Sequence, residues 1–347
     1  MNLKQLSAHL GLSQTTVSRA LNGYPEVSEA TRQRVQSEAR RVNYRPDTRA
    51  KGLATGRTMS IGHVIPISTK HEIVNPIFAD FIAGAGEIYA QNGYDMHLSV
   101  VADTDEAKMY RDLATKGSVD GIIVHGPRAD DPRIKLLEEI GMPFAVHGRT
   151  GTADESYSWV DVDNLGAFEM ATEYLVAQGH RRIALINGIE QMDFAMRRRE
   201  GYEKVHELHG LAVDPALLFS SEMTEHYGYA STGKLLDLPE PPSALLISSI
   251  ITAIGARRAI QERGLVLGKD ISIVTHDDDL SYLRNGQDAP IFTATRSSVR
   301  EAGVICARAV LGRIKTPNSK PDQTLLRCEL ILGASSGPGP YFERPSP

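Results

Sequence analysis

Side chains that donate and accept hydrogen bonds follow one another in a short stretch near the start of the chain. They are Gln14, Thr15, Thr16, Ser18 and Arg19. Hydroxyl and amide groups suit phosphate oxygens and base edges, and the planar guanidinium of an arginine fits the O6 and N7 atoms of guanine. A solvated polar surface is the alternative interpretation. The chemistry that this stretch offers is contact with nucleic acid.

A second group of chemically versatile residues stands where short apolar runs end or where the following segments begin. Carboxylate groups form paired hydrogen bonds with neighbouring hydroxyls, and an aromatic ring can stack on the apolar face of a sugar. For His125 and His147 a structural imidazole is an equal alternative, and for Asp277 a helix cap. The group comprises Ser68, Asn75, Phe78, His125, His147, Arg149, Asp163, Asn164, Ser248, Ser249, His276, Asp277 and Asp278.

Two motifs of enzymes occur only in incomplete form. Residues 228–234 match the start of a phosphate-binding loop, but Leu235 replaces the hydroxyl residue that binds magnesium, and no apolar strand precedes the motif. Residues 333–337 match a hydrolase nucleophile elbow, but neither Asp nor His follows Ser336. We therefore expect no catalytic residues and no cofactor, and hence no enzyme.

Metal sites are equally weakly indicated. His206 and His209 are spaced for one helix face, with Glu203 a turn earlier, but a further ligand set is missing. The acidic run 277–279 lacks the spaced oxygens and the glycine of a calcium loop. We expect no bound metal.

Composition predicts a multidomain globular protein. The 347 residues are 41% hydrophobic, and no apolar run reaches the roughly 18 residues that span a bilayer. The first residues do not resemble a secretory signal, and two cysteines, Cys306 and Cys328, are too few for a disulfide framework. We expect a cytoplasmic protein without a membrane partner.

Charge is distributed unevenly along the chain. The net charge is −5, but residues 1–58 carry +6 and the remainder −11. This asymmetry indicates a basic module for a polyanion joined to an acidic, soluble body.

The sequence around the polar stretch predicts short helices, which must position its side chains. Apolar residues at Leu3, Leu6 and Leu10 indicate a first helix, and Gly11 ends it. Ser13 caps a second helix over Gln14–Leu21, and Ser28 caps a third. The first two helices and their turn predict a helix-turn-helix.

The segment from Asp47 to Arg57 has Leu53 as its only large apolar residue, so it cannot fold alone. Gly52 adds about 1 kcal/mol of helix cost relative to Ala. We predict that the segment becomes helical on DNA, with Leu53 wedged between base steps in the minor groove. A flexible linker is the alternative.

From Ile61 the chain alternates between short apolar runs and amphipathic stretches, which predicts parallel sheets covered by helices. The predicted fold class is α/β, with an all-α headpiece followed by two doubly wound subdomains that enclose a cleft. Predicted strands are 61–67, 96–101, 121–125, 144–147, 182–186, 244–248, 271–275 and 292–295, and predicted helices include 78–91, 106–116, 164–178, 199–208 and 252–263.

The headpiece resembles the lactose repressor (LacI/GalR) family. The resemblance is carried by residues 12–23, by 27–32, by Asn43-Tyr44-Arg45-Pro46 and by Leu53-Ala54, and the order of the body follows the family as well. It implies that Gln14, Thr15 and Arg19 read bases, that Thr16 and Ser28 hold phosphates, and that Leu53 intercalates. Asn22 and Ala50 are further DNA contacts that it implies.

In the body the resemblance implies a periplasmic-binding-protein-like core with Arg198, three residues before Gly201, as the effector anchor. A solvated position within the run 197–199 is the alternative for Arg198. Asp277 stands where the family carries an aspartate, whereas Thr275 and His276 replace its usual glycine and aromatic residue. Ser249 stands where asparagine is common, so the identity of the effector stays open.

We therefore expect a DNA-binding regulator that acts as a repressor on a palindromic operator, as a homodimer or a dimer of dimers, under the control of a sugar-type effector such as an α-glucoside. The expected domains are a headpiece (1–46), a hinge (47–58), a core (59–335) and a Pro/Gly-rich tail (336–347). Within the core, the expected first subdomain is 59–160 with 291–321, and the second is 161–290 with 322–335. A sugar receptor or transport component, and a sugar-metabolising enzyme, are the competing classes.

Overall fold

The computed structural model describes residues 1–21, 23–44, 57–66, 74–151 and 156–342. The chain divides into two compact units, Met1–Met59 and Ser60–Pro347. Four predicted contact residues, namely Asn22, Ala50, Leu53 and Ser68, lie outside the described residues, as does most of the predicted hinge. Within the described ranges, no helix is both long and apolar enough to cross a membrane.

The first unit contains helices α1 (Leu3–Leu10), α2 (Gln14–Leu21) and α3 (Glu29–Arg41). Asn2 and Gln5 form a reciprocal capping box at the start of α1, as their spacing predicts. Fully buried Leu6, Val17 and Val35 bring one side chain from each helix into a shared core. Three short helices are stable here because each buries an apolar stripe against the other two.

The second unit contains two lobes, each built on a six-stranded sheet. In the first lobe the strand order is β11-β5-β4-β3-β1-β2, and all pairs are parallel. The strands are β1 (Ser60–Pro66), β2 (Asp95–Val101), β3 (Gly121–His125), β4 (Phe144–His147), β5 (Ser158–Val162) and β11 (Gln323–Leu326). Its helices are α4 (Pro76–Asn92), α5 (Glu106–Thr115), α6 (Pro132–Glu139) and α11 (Val299–Lys315).

The second lobe has the strand order β12-β10-β9-β8-β6-β7, in which only the β10–β12 pair is antiparallel. The strands are β6 (Ile183–Asn187), β7 (Leu218–Ser220), β8 (Ala244–Ile247), β9 (Ser272–Asp277), β10 (Thr293–Arg296) and β12 (Glu329–Ile331). Its helices are α7 (Asn164–Ala177), α8 (Asp193–Leu208), α9 (Glu225–Leu236) and α10 (Ile250–Glu262).

The chain passes between the lobes after β5, between β10 and α11, and between β11 and β12. The expected subdomain boundaries put the second passage near Pro290 and the third near Pro321, and both expectations are wrong. β10 pairs with β9 in the second lobe, whereas β11 pairs with β5 in the first. Each proline lies in the loop before its strand, and a proline marks such a loop without indicating which sheet the next strand joins.

The enzyme-like motifs serve the packing of the second lobe. Residues 228–234 lie within α9, where a Cβ on Gly228 would stand 1.9 Å from the carbonyl oxygen of Thr252, so that glycine lets α9 and α10 approach closely. In the elbow-like segment, Ser335 is buried, accepts a hydrogen bond from the Thr293 N–H and donates one to the Ile273 carbonyl.

The two histidines with the spacing of a metal-ligand pair have other partners. His206 Nδ1 lies 2.9 Å from the carbonyl oxygen of Tyr202, and His209 Nε2 lies 2.9 Å from a carboxylate oxygen of Glu173.

Candidate functional site

The second helix of the headpiece begins at a defined point. Gly11 adopts φ 65°, a left-handed conformation that favours glycine, and so turns the chain out of α1. Ser13 Oγ then accepts the Thr16 N–H at 3.0 Å and lies 2.8 Å from the Thr16 hydroxyl. These bonds fix the start of α2 and therefore the direction of its polar side chains.

The polar face of α2 is open to solvent. Gln14, Thr15 and Arg19 are exposed, while Val17 and Ala20 on the opposite face are buried. Among the described residues Arg19 has no ion-pair partner, whereas Arg32 and Arg41 in α3 pair with Glu29 and Glu38. Its charge is thus available to an external anion.

Ser28, the predicted phosphate contact in the headpiece, is exposed and caps α3 by accepting the Thr31 N–H at 3.4 Å. Its hydroxyl therefore lies at the N-terminus of a helix, where the helix dipole favours an anion.

In the second unit, a cavity of about 570 Å3 lies between the two lobes, beside the carboxyl ends of their parallel strands. This is where open α/β sheets bind ligands, and the volume is in the range typical of small-molecule pockets. Six residues that the sequence singles out line the cavity, and Asp161 and Phe194 line it with them. These eight lining residues are Asn75, His125, His147, Asp161, Asn164, Phe194, Arg198 and Asp278.

Arg198 is buried at the cavity wall. Its Nε donates to Asn164 Oδ1 at 2.8 Å, and its Nη1 donates to the Ser248 carbonyl at 2.5 Å. The guanidinium carbon lies 5.1 Å from the ring centroid of Phe168 and 5.0 Å from that of Phe194. Burial lowers the pKa of Arg198, while the nearby carboxylate of Asp278 opposes that shift.

A chain of hydrogen bonds joins Arg198 to the first lobe. Asn164 Nδ2 donates to Asp161 Oδ1 at 3.2 Å, and Arg149 Nε donates to Asp161 Oδ2 at 2.8 Å. Burial raises the pKa of Asp161 to about 6, although Arg149 opposes the shift. Asp161 lies in β5, and sequence reasoning missed it because the run Ser158–Val162 was not predicted as a strand.

Asp278, rather than the predicted Asp277, faces the cavity. β9 ends at Asp277, two residues later than predicted, so Asp278 is the first residue after the strand. The Asp277 carboxylate instead accepts the Asp279 N–H at 3.0 Å, outside the cavity lining. Burial raises the pKa of Asp278 to about 7, although Arg198 opposes the shift.

Three other predicted contacts stand behind the cavity lining. Ser249 is fully buried and caps α10, since its Oγ accepts the Ile251 N–H at 3.2 Å. Phe78 packs edge-on against His125, with ring centroids 5.2 Å apart, so it is not placed to stack on a sugar. Arg149 does not line the cavity, and its Nε donates a hydrogen bond to Asp161, which does. Asn75, which does line the cavity, caps α4 by accepting the Ile77 N–H at 3.1 Å.

Two histidines line the first-lobe side of the cavity. His125 and His147 are the last residues of β3 and β4 and pair in register. The ring of His147 stacks on Phe81 with centroids 4.3 Å apart. Burial lowers the pKa of His147 to about 4 and places that of His125 well below its ordinary value, so both imidazoles are neutral at physiological pH.

Backbone and side-chain bonds connect the lobes beside the cavity. The Asp193 N–H donates to the Pro127 carbonyl at 2.9 Å, and the Asp193 carboxylate accepts the Gly151 N–H at 2.9 Å. Arg197 bonds to Asp193 and to the Gly151 carbonyl. Helix α8 therefore carries Arg198 toward the cavity and Asp193 toward the opposite lobe.

Comparison with known proteins finds a matching family for each of the two units. Residues 3–47 match the profile of bacterial regulatory proteins of the lacI family, and residues 172–336 match a periplasmic binding protein-like domain. The HTH-type transcriptional regulator AglR of Rhizobium meliloti (strain 1021) is 46% identical over 341 residues, which cover 98% of this chain and 95% of that protein.

Solved structures agree with the fold. The transcriptional regulator CelR in complex with cellobiose has a TM-score of 0.71 at 28% identity and covers 96% of this chain and 99% of its own. The lac repressor dimer bound to operator and the anti-inducer ONPF has a TM-score of 0.79 at 23% identity and covers 97% and 99%. Given the near-complete alignment to a 46% identical regulator and the matching headpiece profile, the chain belongs to the LacI family and is a DNA-binding helix-turn-helix transcriptional regulator.

Proposed function

We propose that this regulator represses its target genes by binding a palindromic operator as a dimer, and that a sugar in the interlobe cavity controls that binding. One headpiece offers few base contacts, so two copies on a two-fold symmetric site supply the needed affinity. The lac repressor structure, a dimer bound to operator, is consistent with this assembly.

In the headpiece, Gln14, Thr15 and Arg19 are the proposed base-reading residues, and Thr16 and Ser28 the proposed phosphate contacts. The exposure of Gln14, Thr15 and Arg19, and the lack of an acidic partner for Arg19 among the described residues, support this assignment. Asn22, Ala50 and Leu53 stay predictions from the family resemblance. The proposed division is headpiece 1–46, hinge 47–58 and core 59–335, with the chain crossings between lobes that the sheets define.

The observation that carries the proposal of a sugar effector is the polar chain along the cavity. Asp161, Asn164 and Arg198 are linked by hydrogen bonds, and Asp278 lies close to the same arginine. Carboxyl oxygens accept hydrogen bonds from the hydroxyl groups of a sugar and a guanidinium donates to its oxygens, so the set suits neighbouring hydroxyl groups on a neutral ring. Phe194, beside Arg198, supplies an apolar surface.

Lobe closure is the proposed means of control. The effector touches Asp161 in one lobe and Arg198 in the other, so it binds better when the lobes are closed. Asp193 and Arg197, which hold the first lobe from the same helix as Arg198, add to the closed state. A coupling of about 1–3 kcal/mol changes affinity roughly 5- to 150-fold, which is sufficient for regulation.

A thermal-shift screen identifies the sugar. Maltose and trehalose represent α-glucosides, cellobiose represents the sugar named in the related complex, and an unrelated polyol serves as the control. We expect a disaccharide to raise the melting temperature in a concentration-dependent manner because it binds only the folded core. A flat response to every sugar would remove the proposed effector class.

Calorimetric titration then tests the coupling. Operator DNA should change the affinity for the sugar by the same factor by which the sugar changes operator affinity, because linkage is reciprocal. Scrambled DNA of equal length is the control. Equal sugar affinity with and without operator would contradict allosteric control while leaving sugar binding intact.

A further inference from the structure

A phosphate ester and an uncharged sugar need different surroundings in a protein. A phosphate ester carries roughly two negative charges at neutral pH, and proteins hold it with open helix N-termini and with arginine or lysine donors. An uncharged sugar needs paired donors and acceptors but no counter-charge. The interlobe cavity lies at the carboxyl ends of parallel strands, beside the beginnings of the helices that follow them, which is where open α/β folds bind phosphates. The groups at these places therefore indicate which of the two the cavity accepts.

Six helices that begin at the cavity already hold an oxygen atom at their N-terminus. In each of them the side chain of the capping residue accepts a hydrogen bond from an N–H group of the first turn, where an anion would otherwise bind. The capping residues and their bond lengths are Asn75 (α4, 3.1 Å), Asp131 (α6, 3.0 Å), Asp163 (α7, 3.1 Å), Thr224 (α9, 3.1 Å), Ser249 (α10, 3.2 Å) and Ser298 (α11, 3.3 Å). Pro76 and Pro132, which open α4 and α6, have no backbone N–H group. An anion would have to displace these capping oxygens.

Two further helices that begin beside the cavity, α5 and α8, carry an acidic residue in their first turn. These residues are Glu106 and Asp193. A carboxylate at this end of a helix occupies the favourable field of the helix dipole and repels a second anion. The Asp193 N–H also donates to the Pro127 carbonyl at 2.9 Å. Among the described residues, no helix therefore presents the cavity with an N-terminus that lacks both a capping oxygen and a carboxylate.

Positive side chains at the cavity are also engaged. Three arginines and no lysine occur among the described residues that line it. In Arg133, Nε and Nη2 donate to the Asp131 carboxylate at 2.8 and 2.6 Å, and Nη1 donates to Glu106 at 3.1 Å. Nη2 also bonds to the carbonyl oxygens of His125 and Gly126. Each guanidinium nitrogen of Arg133 thus has an oxygen partner in the protein, and two carboxylates neutralise its charge.

The other two lining arginines differ in their access to solvent. Arg198 is buried, and the Asp278 carboxyl group is the nearby acid that most strongly opposes the lowering of its pKa. Asp161, the carboxylate of the polar chain, is paired with Arg149 at 2.8 Å. The polar chain therefore balances its charges without a ligand. Arg128 is exposed, so water weakens its attraction for an anion inside the cavity.

We propose that the effector is a sugar without a phosphate group, and that the charge of Asp278 beside Arg198 helps to exclude phosphorylated sugars. This inference rests on the proposed function of the cavity and deepens it, because it restricts the class of sugar. Hydroxyl groups satisfy the polar chain without adding charge, whereas an enclosed dianion that finds no unpaired cation is costly. Import without chemical change, or hydrolysis of a longer saccharide by water, supplies such a sugar. Its phosphorylation by a phosphoryl donor removes the signal.

Calorimetric titration of the full-length protein with matched pairs of ligands tests this specificity. Each pair is maltose, trehalose or cellobiose together with its phosphate ester on a primary hydroxyl group. We expect one of the parent sugars to bind and its phosphate ester to bind at least about tenfold more weakly. A phosphate ester that binds as tightly as its parent sugar, or more tightly, would overturn the proposal and leave a sugar effector in place. Failure of both members of every pair to bind would overturn the proposed effector class itself, and this specificity with it.

The acetyl ester of the same hydroxyl group separates charge from size. It adds a substituent to the same oxygen atom as the phosphate does, but the substituent is uncharged. We expect the acetyl ester to bind more tightly than the phosphate ester. Equal losses of affinity for the two esters would show that size excludes them, and would overturn the role assigned to charge.

Asp278→Asn tests the contribution of the carboxylate. At pH 8 the wild-type group is ionised, because its raised pKa is about 7, whereas asparagine is uncharged and keeps an acceptor oxygen for the sugar. We expect the ratio between the affinities for the parent sugar and for its phosphate ester to fall at least about threefold. Asp277→Asn, which removes a carboxylate outside the cavity lining, is the matched control and should leave the ratio unchanged. An unchanged ratio in folded Asp278→Asn protein, or the loss of both affinities, would overturn the role of the Asp278 charge.

Discussion

The headpiece and the interlobe cavity hold their functional side chains in opposite ways. On α2, Gln14, Thr15 and Arg19 project into solvent, and the helix is held by its other face. In the cavity, Asp161, Asn164 and Arg198 are buried and bonded to one another. The reading surface is thus separable from the stability of its domain, whereas the cavity side chains also support the fold that surrounds them.

The difference follows from what each site binds. A DNA duplex is a large anion that meets a surface, so exposed side chains suffice and charge can stay in water. A small neutral molecule must be enclosed, so its contacts must be desolvated and oriented before it arrives. Substitutions on the DNA-facing surface of the headpiece should therefore change binding without changing stability, whereas substitutions in the cavity should change both.

Arg198→Ala should have the largest effect. It removes the donors to Asn164 and the Ser248 carbonyl and leaves those buried acceptors unsatisfied, so we expect a stability loss on the order of 3 kcal/mol and no response to sugar. Urea unfolding measures the first effect, and operator binding with and without sugar measures the second.

The neighbouring Arg199 is the matched control for this variant. It is half-buried and pairs with Glu190 and Glu203, so Arg199→Ala should cost at most about 1 kcal/mol and keep the sugar response. A fully stable Arg198→Ala protein would break the proposed link between site and fold.

Asp278→Asn should change how stability depends on pH. The pKa of Asp278 is raised from 3.8 to about 7 in the folded protein, so between these values the folded state holds a proton that the unfolded state has lost. Its contribution to stability therefore falls as pH rises from 4 to 7. Relative to wild type, we expect the free energy of unfolding of the variant to rise by about 2 kcal/mol between pH 5 and pH 8.

Urea unfolding of both proteins at the two pH values measures this difference. The buried histidines are present in both proteins and cancel in the comparison. Parallel pH profiles would mean that Asp278 is not held at the desolvated wall. Asp277→Asn, outside the cavity, is the companion variant for ligand binding and should leave sugar affinity unchanged.

Arg19→Ala should have the smallest effect on stability and a clear effect on recognition. We expect a loss of about 1–3 kcal/mol in specific operator binding, because a guanine contact is removed, and a change of stability within about 0.5 kcal/mol. Titration of operator and scrambled duplexes, with thermal unfolding in parallel, measures both.

Arg40→Ala serves as the comparison, since Arg40 is also exposed in the headpiece but lies at the end of α3. Arg40→Ala should weaken binding to the operator and to the scrambled duplex to a similar degree. Equal losses on the two duplexes for Arg19→Ala would contradict its assignment to base reading.

Local signals made the headpiece predictable. The caps at Asn2, Ser13 and Ser28 and the break at Gly11 are each encoded within a few residues, and the structure has the helices where those signals predict them. The central strands of both lobes were predictable for a similar reason, since a fully buried parallel strand reads as a continuous apolar run.

Edge strands and close helix packing were harder to predict. β11 and β12 are short and half-exposed, so they lack an apolar run, and α9 contains glycines that weigh against a helix until its contact with α10 is known. In the site, Asp277 was chosen over Asp278 because the family resemblance indicates an aspartate at position 277, and the end of β9, which decides which of the two carboxyl groups faces the cavity, was predicted two residues early. A small change in register reverses which side chain faces the cavity.

The three passages of the chain between the lobes have a consequence for synthesis. Neither lobe is a continuous stretch of sequence: the first is complete only when β11 emerges, and the second only when β12 follows. The headpiece, in contrast, closes its core within residues 3–44. Domains fold as units while the chain is made, so the headpiece can fold on the ribosome long before the two lobes of the core are complete. A messenger RNA truncated before the codon for Gln323 would encode the DNA-binding headpiece without the complete effector-binding core that controls it.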